Sequence, residues 1–292
     1  MQRTLLVIAV TSTLLGCSTG DAPADGGGDV AADAPLDASA AFTPATLDQA
    51  GKLALWLEAT SEDVTLGDGG RVTTWRDKTQ HHNDAIGVGL LPAYDVALQA
   101  GHDAVHFDDA MVQLQIADSP SLQLGTDPFT VIAVTRVAAF RMFWFEKAVL
   151  NDAGTLLGLE FFVSNGGPSD AGAATPSPFA ELDNQTGDFV QWGAGNALGD
   201  GKLHIVQFRR TAATAIEVAV DDLPPRSQTT SAIDVSVPGQ AAVLGSPGGS
   251  FAGGAPPGFW IAEELVLHAA TGTLADADVA NVYAYLQKKY GL

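Results

Sequence analysis

Hydrophobic and polar positions alternate in short runs along most of this chain, and the pattern predicts β-strands. The clearest example is the stretch at residues 104–137. Val105 and Phe107 recur there at a spacing of two before a pair of aspartates. Leu114 and Ile116 repeat this spacing, and the last nine residues of the stretch are almost continuously apolar and rich in β-branched side chains. A run of that kind is typical of a strand covered on both faces, so we expect three strands at the middle of a two-sheet β-sandwich.

Further short runs at residues 53–57, 202–210 and 216–221 have strand character and predict additional strands. Glycine and proline residues, 32 and 15 in number, are spread between the runs as turn residues. The sequence therefore predicts an all-β domain built as an antiparallel sandwich.

One helix is predicted, at residues 276–290. Its apolar positions recur at helical spacing and form one stripe: Val279, Val282, Tyr283, Leu286 and Tyr290. Two aspartates lie in its first turn and two lysines in its last, as the helix dipole favours, and Gly291 is a suitable stop. We expect this helix to close one edge of the sandwich.

The N-terminal residues predict export. Residues 1–17 contain Arg3, then a short apolar core, and end in Leu-Leu-Gly-Cys, which resembles the bacterial lipobox. That resemblance implies a lipid on Cys17, the only cysteine of the chain, which has no partner for an internal disulfide. Ser18 follows, and by resemblance to enterobacterial sorting rules it favours the outer membrane. The expected location is the cell envelope, with a lipid anchor.

A tether and one domain are expected after the signal. Residues 18–46 consist mainly of Ala, Gly, Asp, Pro and Ser, a composition with too little apolar surface to offset the entropy cost of ordering. We predict a disordered acidic tether there and a single domain at residues 47–292. No other stretch has the roughly 18–20 apolar residues that span a bilayer.

The net charge of −20 arises from 34 acidic and 14 basic side chains. It argues against nucleic acid as a partner, because phosphate binding needs a basic face. It also argues against electrostatic docking on anionic lipid, which leaves the lipid on Cys17 as the expected membrane contact. Neutral sugars, cationic partners and Ca²⁺ are compatible with this charge, and so is simple solubility.

Several motifs carry a resemblance to a known family. Trp75, Asp77 and Thr79 form a Trp-x-Asp-x-Thr turn, with Asn-Asp-Ala at residues 83–85, and His-Phe-Asp stands at residues 106–108. A Gly-rich loop, an Ile-Ala-Glu strand and a helix ending in Lys-Tyr-Gly-Leu close the chain. Together they resemble bacterial concanavalin A-like domains of the laminin-G (LamG) type. The resemblance implies an antiparallel jelly-roll sandwich.

The same resemblance implies a possible Ca²⁺ ion at a loop rim. Asp108 and Asp109 stand at a strand end within the matching motif, and carboxylates are ligands that Ca²⁺ prefers. Aspartates also favour turns without any metal, so turn formation is the alternative. No further cofactor is expected.

Ligand contacts are expected in the Gly-, Pro- and Asp-rich loops at residues 163–200. Trp192 has polar and glycine neighbours and is the candidate stacking residue, with Asp183 and Asn184 as polar contacts. Sandwich glucanases carry Glu-x-Asp-x-Glu. Here Glu181 and Asp183 match the first two carboxylates, but Gln185 stands in place of the third, and an amide cannot protonate a leaving group. We therefore predict no catalytic residues.

The function expected from the sequence is a binding module for a glycan or an extracellular protein, without catalysis. A glycoside hydrolase or polysaccharide lyase of concanavalin A-like fold is one alternative. A structural envelope protein without a small ligand is the other. The sequence leaves the oligomeric state open.

Overall fold

A computed structural model describes residues 42–109, 111–138, 142–150, 156–164, 176–182, 188–191, 198–246, 258–269 and 273–292. The predicted signal segment, Cys17 and most of the predicted tether lie outside the described residues. The residues from Phe42 to Leu292 cluster into one unit. None of the helices among the described residues is long and apolar enough to cross a membrane.

Short strands make up most of the domain, as the alternating pattern predicted. In chain order they are β1 (Leu53–Glu58), β2 (Val64–Leu66), β3 (Val72–Trp75), β4 (Ala85–Gly87), β5 (Ala93–Gln99), β6 (His102–Phe107), β7 (Gln113–Ile116), β8 (Phe129–Val137), β9 (Phe143–Leu150), β10 (Leu156–Ser164), β11 (Ser177–Leu182), β12 (Phe189–Gln191), β13 (His204–Ala212), β14 (Ala215–Val220), β15 (Arg226–Thr229), β16 (Ala242–Gly245) and β17 (Phe259–His268). The helices are α1 (Ala45–Gln49) and α2 (Asp276–Tyr290).

The strands form two antiparallel sheets. Sheet 1 has the order β15-β14-β13-β8-β17-β6-β5, and β1 pairs with the part of β17 that β6 does not reach. Sheet 2 has the order β12-β11-β10-β9-β16-β7-β4-β3-β2. The three strands predicted at residues 104–137 are β6, β7 and β8. Of these, β6 and β8 belong to sheet 1 and β7 belongs to sheet 2. The predicted antiparallel β-sandwich is confirmed.

The inner core fills the space between the sheets. It includes fully buried aromatic side chains from both sheets: Trp75, Phe107, Phe129, Trp144, Phe145, Phe161, Phe208 and Phe259. Because successive strand residues point to opposite faces, the residues between these positions lie on the outer faces of the sheets. What the outer faces carry therefore decides where a ligand can bind.

Helix α2 covers the outer face of sheet 1. The prediction that it closes one edge of the sandwich was wrong. Val282 and Leu286 pack into a second core with Ile132 of β8 and Leu265 of β17. Both central strands are rich in apolar side chains on their two faces and are almost fully buried, so the outer face also has to be covered from water. The bounds and the apolar stripe of the helix are as predicted, and Gly291 ends it in the left-handed conformation.

His204 of β13 is held between two aspartates. Its Nδ1 lies 2.7 Å from Oδ2 of Asp221, and its Nε2 lies 3.0 Å from Oδ1 of Asp200. The other oxygen of Asp221 accepts the backbone N–H of Ile205 at 2.9 Å. Burial lowers the pKa of His204, but the hydrogen bonds to the two aspartates outweigh burial, and the pKa is raised.

Replacing His204 with glutamine should therefore lower stability more at acidic than at alkaline pH. The contribution of the charged imidazole is complete below the unfolded pKa of about 6.5 and is lost as the pH rises through the raised folded value. The difference in Tm between the wild type and His204→Gln should shrink as the pH rises above about 6.5, measured by circular dichroism melts over a range of alkaline pH values. His81→Gln, at an exposed histidine, is the control. A difference that stays constant for His204→Gln over this range would contradict the prediction.

Candidate functional site

The motif that carries the family resemblance holds the backbone together. Asp77 is 2% exposed, and its Oδ1 accepts the backbone N–H groups of Trp56 at 2.9 Å and Thr79 at 3.0 Å. Its Oδ2 accepts the Thr79 hydroxyl at 2.6 Å and the N–H of Asn83 at 2.8 Å. Both carboxylate oxygens are thus used within the protein, so this part of the motif is scaffold.

Asp108 and Asp109 lie at the end of β6, beside a shallow cleft of about 330 Å³. Both oxygens of Asp108 lie 2.7 Å from Nη1 of Arg71, and Oδ1 of Asp109 accepts the backbone N–H of Met111 at 3.0 Å. A Ca²⁺ ion at Asp108 would have to displace the guanidinium group. In the described part of the chain, no group of three or more His, Cys, Asp or Glu side chains could hold a metal ion. The calcium hypothesis stays a prediction.

The three predicted ligand contacts, Asp183, Asn184 and Trp192, lie outside the described residues. The strands beside them, β11 and β12, are described, and β11 carries Glu181. This glutamate leads to a cluster that the sequence did not predict.

Three glutamates from three neighbouring strands of sheet 2 stand side by side. In the strand register, Glu160 of β10 lies directly opposite Glu146 of β9 on one side and Glu181 of β11 on the other. The residues adjacent to them in these strands, such as Phe161 and Ala180, point into the inner core. The glutamates are therefore on the outer face of sheet 2, where directly opposed side chains have Cβ atoms about 4.5–5.5 Å apart. We call Glu146, Glu160 and Glu181 the glutamate row.

Four phenylalanine rings form a continuous series on the same face: three lie beside the glutamate row, and the fourth, Phe189, lies directly opposite Glu181. The ring centroids of Phe143 and Phe162 are 5.1 Å apart, those of Phe162 and Phe179 4.8 Å, and those of Phe179 and Phe189 5.3 Å. Phe189 is 37% exposed, whereas Phe162 and Phe179 are half-buried. We call these four residues the phenylalanine row.

A β-bulge brings the two rows onto one face. Phe161 pairs with Phe145 and Phe162 with Phe143, so Trp144 is an extra residue in β9. Phe143 and Glu146 are an odd number of residues apart and would point to opposite faces of a regular strand. The bulge restores them to the same outer face and turns Trp144 into the inner core.

Burial changes the protonation of the glutamate row. Burial, together with repulsion from Glu146 and Glu181, raises the pKa of Glu160 to about 8. Burial raises the pKa of Glu146 to about 7, and its Oε2 has no hydrogen-bond partner among the described residues. At neutral pH these carboxyl groups are thus partly protonated and can both donate and accept hydrogen bonds.

The sequence contained a signal for the two glutamates that were missed. Glu146 and Glu160 are single acidic residues inside mostly apolar strands, in the segments FWFEK and LGLEFF. A charged residue at such a position is costly unless it has a role or a partner. The sequence could flag each position, but the pairing of the strands was needed to bring them together.

Comparisons with known proteins were made in sequence and in structure. No protein-family model matches the chain, and no curated protein matches it in sequence. Among solved structures, an arabinofuranosidase complexed with arabinofuranosyl-α-1,2-xylobiose superposes with a TM-score of 0.60 and 11% identity over 85% of this chain and 65% of that chain. The botulinum neurotoxin serotype D binding domain gives a TM-score of 0.53 and 9% identity over 80% and 52% of the two chains. The binding domain of Paraclostridial Mosquitocidal Protein 1 gives 0.54 and 8% over 82% and 53%.

At these identities the likeness concerns the fold alone. The chain spans about half to two thirds of the length of these solved chains. The fold is a concanavalin A-like antiparallel β-sandwich of the jelly-roll kind with a short C-terminal helix, as the sequence predicted.

Proposed function

We propose that this protein binds carbohydrate on the outer face of sheet 2, without catalysing its cleavage. The observation that carries the proposal is the phenylalanine row running beside the glutamate row. Aromatic rings stack on the apolar faces of sugars, and carboxyl groups form hydrogen bonds with sugar hydroxyls. One structural neighbour, the arabinofuranosidase, was solved with an arabinofuranosyl-xylobiose ligand, which supports a sugar over other small ligands.

The proposal includes the setting of the domain. The domain is of the LamG type and belongs to a lipoprotein anchored through Cys17 in the cell envelope, at the outer membrane. The glycan can be free or carried by an extracellular protein. A domain held at a surface by a lipid anchor suits capture of a polymer better than uptake of a small metabolite.

The protonation states of Glu146 and Glu160 in the glutamate row suit carbohydrate binding better than glycoside hydrolysis. A retaining glycosidase needs one carboxyl group as acid and a second kept ionised as nucleophile, about 5–5.5 Å apart. Glu146 and Glu160 are directly opposed in the strand register, but the pKa of each is raised, by burial first. No described cation keeps either of them ionised, because the neighbouring Lys147 is buried against Asp118 Oδ1 at 2.7 Å. The opposed pair Glu146–Glu160 nevertheless favours glycoside hydrolysis as the second candidate function.

Replacing Phe162 should weaken glycan binding by the full chain at least about tenfold. A nucleobase stacked on an aromatic side chain contributes about 1–3 kcal/mol, and we expect a similar contribution from a sugar ring stacked on Phe162. Phe162→Leu keeps apolar bulk without the ring and should weaken binding as Phe162→Ala does, with a smaller cost in stability. Val96→Ala, at an exposed residue of sheet 1, is the control. A glycan array identifies the ligands, and titration calorimetry measures the affinities.

The same assay separates the candidate functions. If the wild type releases reducing ends during incubation with a glycan and Glu160→Gln does not, the protein is a glycoside hydrolase and the proposal of binding without cleavage is wrong. Absence of both binding and release for every glycan would favour the structural envelope role. Equal affinities of the wild type and Phe162→Leu would place any glycan site elsewhere on the molecule.

A further inference from the structure

A cleft of about 500 Å³ lies beside His268, the last residue of β17, and the segment at residues 119–121 that follows β7. Sites for small molecules are mostly clefts of about 300–1,000 Å³ that combine apolar walls with a few polar groups. Ala54 and Pro120 supply apolar surface here, whereas two serines, Gln80 and His268 supply polar groups. None of the lining residues belongs to the glutamate row or the phenylalanine row.

His268 carries an unused hydrogen-bond acceptor. The residue is 5% exposed, and its Nδ1 lies 3.3 Å from the backbone carbonyl oxygen of Ser121. Because a carbonyl oxygen only accepts, Nδ1 carries the proton, and Nε2 of the neutral imidazole keeps a lone pair. Burial lowers the pKa of His268, which favours the neutral ring. Nε2 is buried without a partner among the described residues, although buried polar groups are normally paired.

The two serines of the cleft provide a matching donor. Oγ of Ser119 lies 2.9 Å from Oγ of Ser121, and Nδ2 of Asn83 donates to Ser121 Oγ at 2.9 Å. The bond between the hydroxyls uses one of their two hydrogens, and the other has no acceptor among the described residues. Asn83 is fixed in turn, since its backbone N–H donates to Asp77. The scaffold therefore holds the hydroxyl pair in place before any ligand arrives.

We propose that this cleft is a second binding site, which takes a neutral polyhydroxyl ligand, namely a single sugar residue. A hydroxyl group both donates and accepts, so a sugar can donate to Nε2 of His268 and accept from the serine hydroxyl. In the described part of the chain, no Asp, Glu, Lys or Arg side chain lines the cleft, so a charged ligand finds no counter-ion there. The other ionisable residue of the lining is His81, which is exposed.

This inference goes beyond the proposed function and does not depend on binding at the outer face of sheet 2. NMR spectroscopy of the isotope-labelled full chain tests it directly. The probes are xylose, arabinose, glucose and galactose, titrated one at a time, with acetate as a charged control. At least one sugar should shift the backbone amide signals of residues 119–121 and the Nε2 signal of His268, whereas acetate should shift neither.

Two substitutions of His268 separate its two nitrogens. His268→Asn keeps a donor near the position of Nδ1 but removes the acceptor at Nε2, so it should weaken sugar binding about fivefold or more. His268→Gln places an amide oxygen near the position of Nε2 and should retain more of the affinity. Ser227→Ala, at an exposed serine of β15, is the control and should leave the affinity unchanged. The signals of the wild type test the site even if a variant at position 268 does not fold.

The outcomes distinguish this site from the face of sheet 2. Absence of shifts at residues 119–121 and His268 with all four sugars would overturn the inference, as would equal affinities of the wild type and His268→Asn. A proton found on Nε2 instead of Nδ1 would also overturn it, because the acceptor would be missing. Shifts confined to sheet 2 and lost in Phe162→Leu would overturn this site alone and leave the proposed function standing. Shifts at the cleft, with no glycan bound by sheet 2, would support this site and overturn the proposed function.

Discussion

Replacing Asp77 with alanine should lower the free energy of unfolding by about 4 kcal/mol or more. Its carboxylate accepts four hydrogen bonds, from Trp56, Thr79 and Asn83. Hydrogen bonds to charged groups contribute about 1.5–3 kcal/mol each, and donors left buried without a partner add their own cost. The individual contributions do not add fully, since the four bonds share one carboxylate.

The position of Asp77 explains why the loss should spread beyond one loop. Trp56 is in β1 of sheet 1, whereas Asn83 leads into β4 of sheet 2. Asn83 in turn donates from Nδ2 to the Ala54 carbonyl oxygen at 2.8 Å and to Ser121 Oγ at 2.9 Å. One carboxylate therefore ties β1 of sheet 1 to the loop that leads into β4 of sheet 2.

Urea denaturation followed by tryptophan fluorescence measures the effect on Asp77→Ala. Asp77→Asn keeps one accepting oxygen but turns an amide N–H₂ toward donors, so its stability should be intermediate. Asp68→Ala, at an exposed aspartate, is the control and should change stability by less than about 0.5 kcal/mol. A loss below about 1 kcal/mol for Asp77→Ala would show that the loop is held mainly by other contacts.

Replacing Glu264 with leucine should have the opposite effect and stabilise the domain. Glu264 of β17 is fully buried, and neither carboxyl oxygen has a hydrogen-bond partner among the described residues. Its cross-strand neighbours, Leu57 and Ala133, belong to the inner core. Burial raises the pKa of Glu264 well above its usual value. A buried polar group without a partner costs about 1–3 kcal/mol, which an apolar side chain of similar size removes.

The stabilisation should depend on pH. Below the unfolded pKa of about 4.3, Glu264 is protonated in both the folded and the unfolded protein, and its charge costs no stability. Because the folded pKa is raised, the free energy of unfolding falls as the pH rises from there toward the folded pKa. The advantage of Glu264→Leu should therefore grow as the pH rises above about 4.3, measured by urea denaturation at several pH values. An advantage that does not change with pH would contradict burial of a titrating carboxyl group.

The adjacent Glu263 provides a matched control for this experiment. It lies in the same strand and is equally buried, but Trp56 Nε1 donates to it at 2.7 Å, Tyr290 OH at 2.9 Å and Lys289 Nζ at 2.5 Å. Glu263→Leu should destabilise the domain, because it leaves these donors unpaired and loosens the end of α2. Opposite signs for two neighbouring glutamates would separate a satisfied buried carboxylate from an unsatisfied one.

The sequence by itself determined the elements whose signals are local. The apolar stripe, the acidic first turn and Gly291 specified α2 at Asp276–Tyr290. Alternation specified β6 and β7, and a continuous β-branched run specified β8. These features depend on residues a few positions apart, so they can be predicted without knowing the rest of the chain. The antiparallel sandwich followed from the number and spacing of such strands.

Only the tertiary structure decided what those elements present to a ligand. Glu146, Glu160 and Glu181 are 14 and 21 residues apart along the chain, and they meet because β9, β10 and β11 pair in one register. A shift of one residue, such as the bulge at Trp144, moves side chains to the opposite face, and the sequence does not show it. In the same way, Asp77 was part of a recognisable motif, yet its role as scaffold depends on donors from another sheet. Local periodicity specifies strands, whereas strand pairing and register specify the surface that they build.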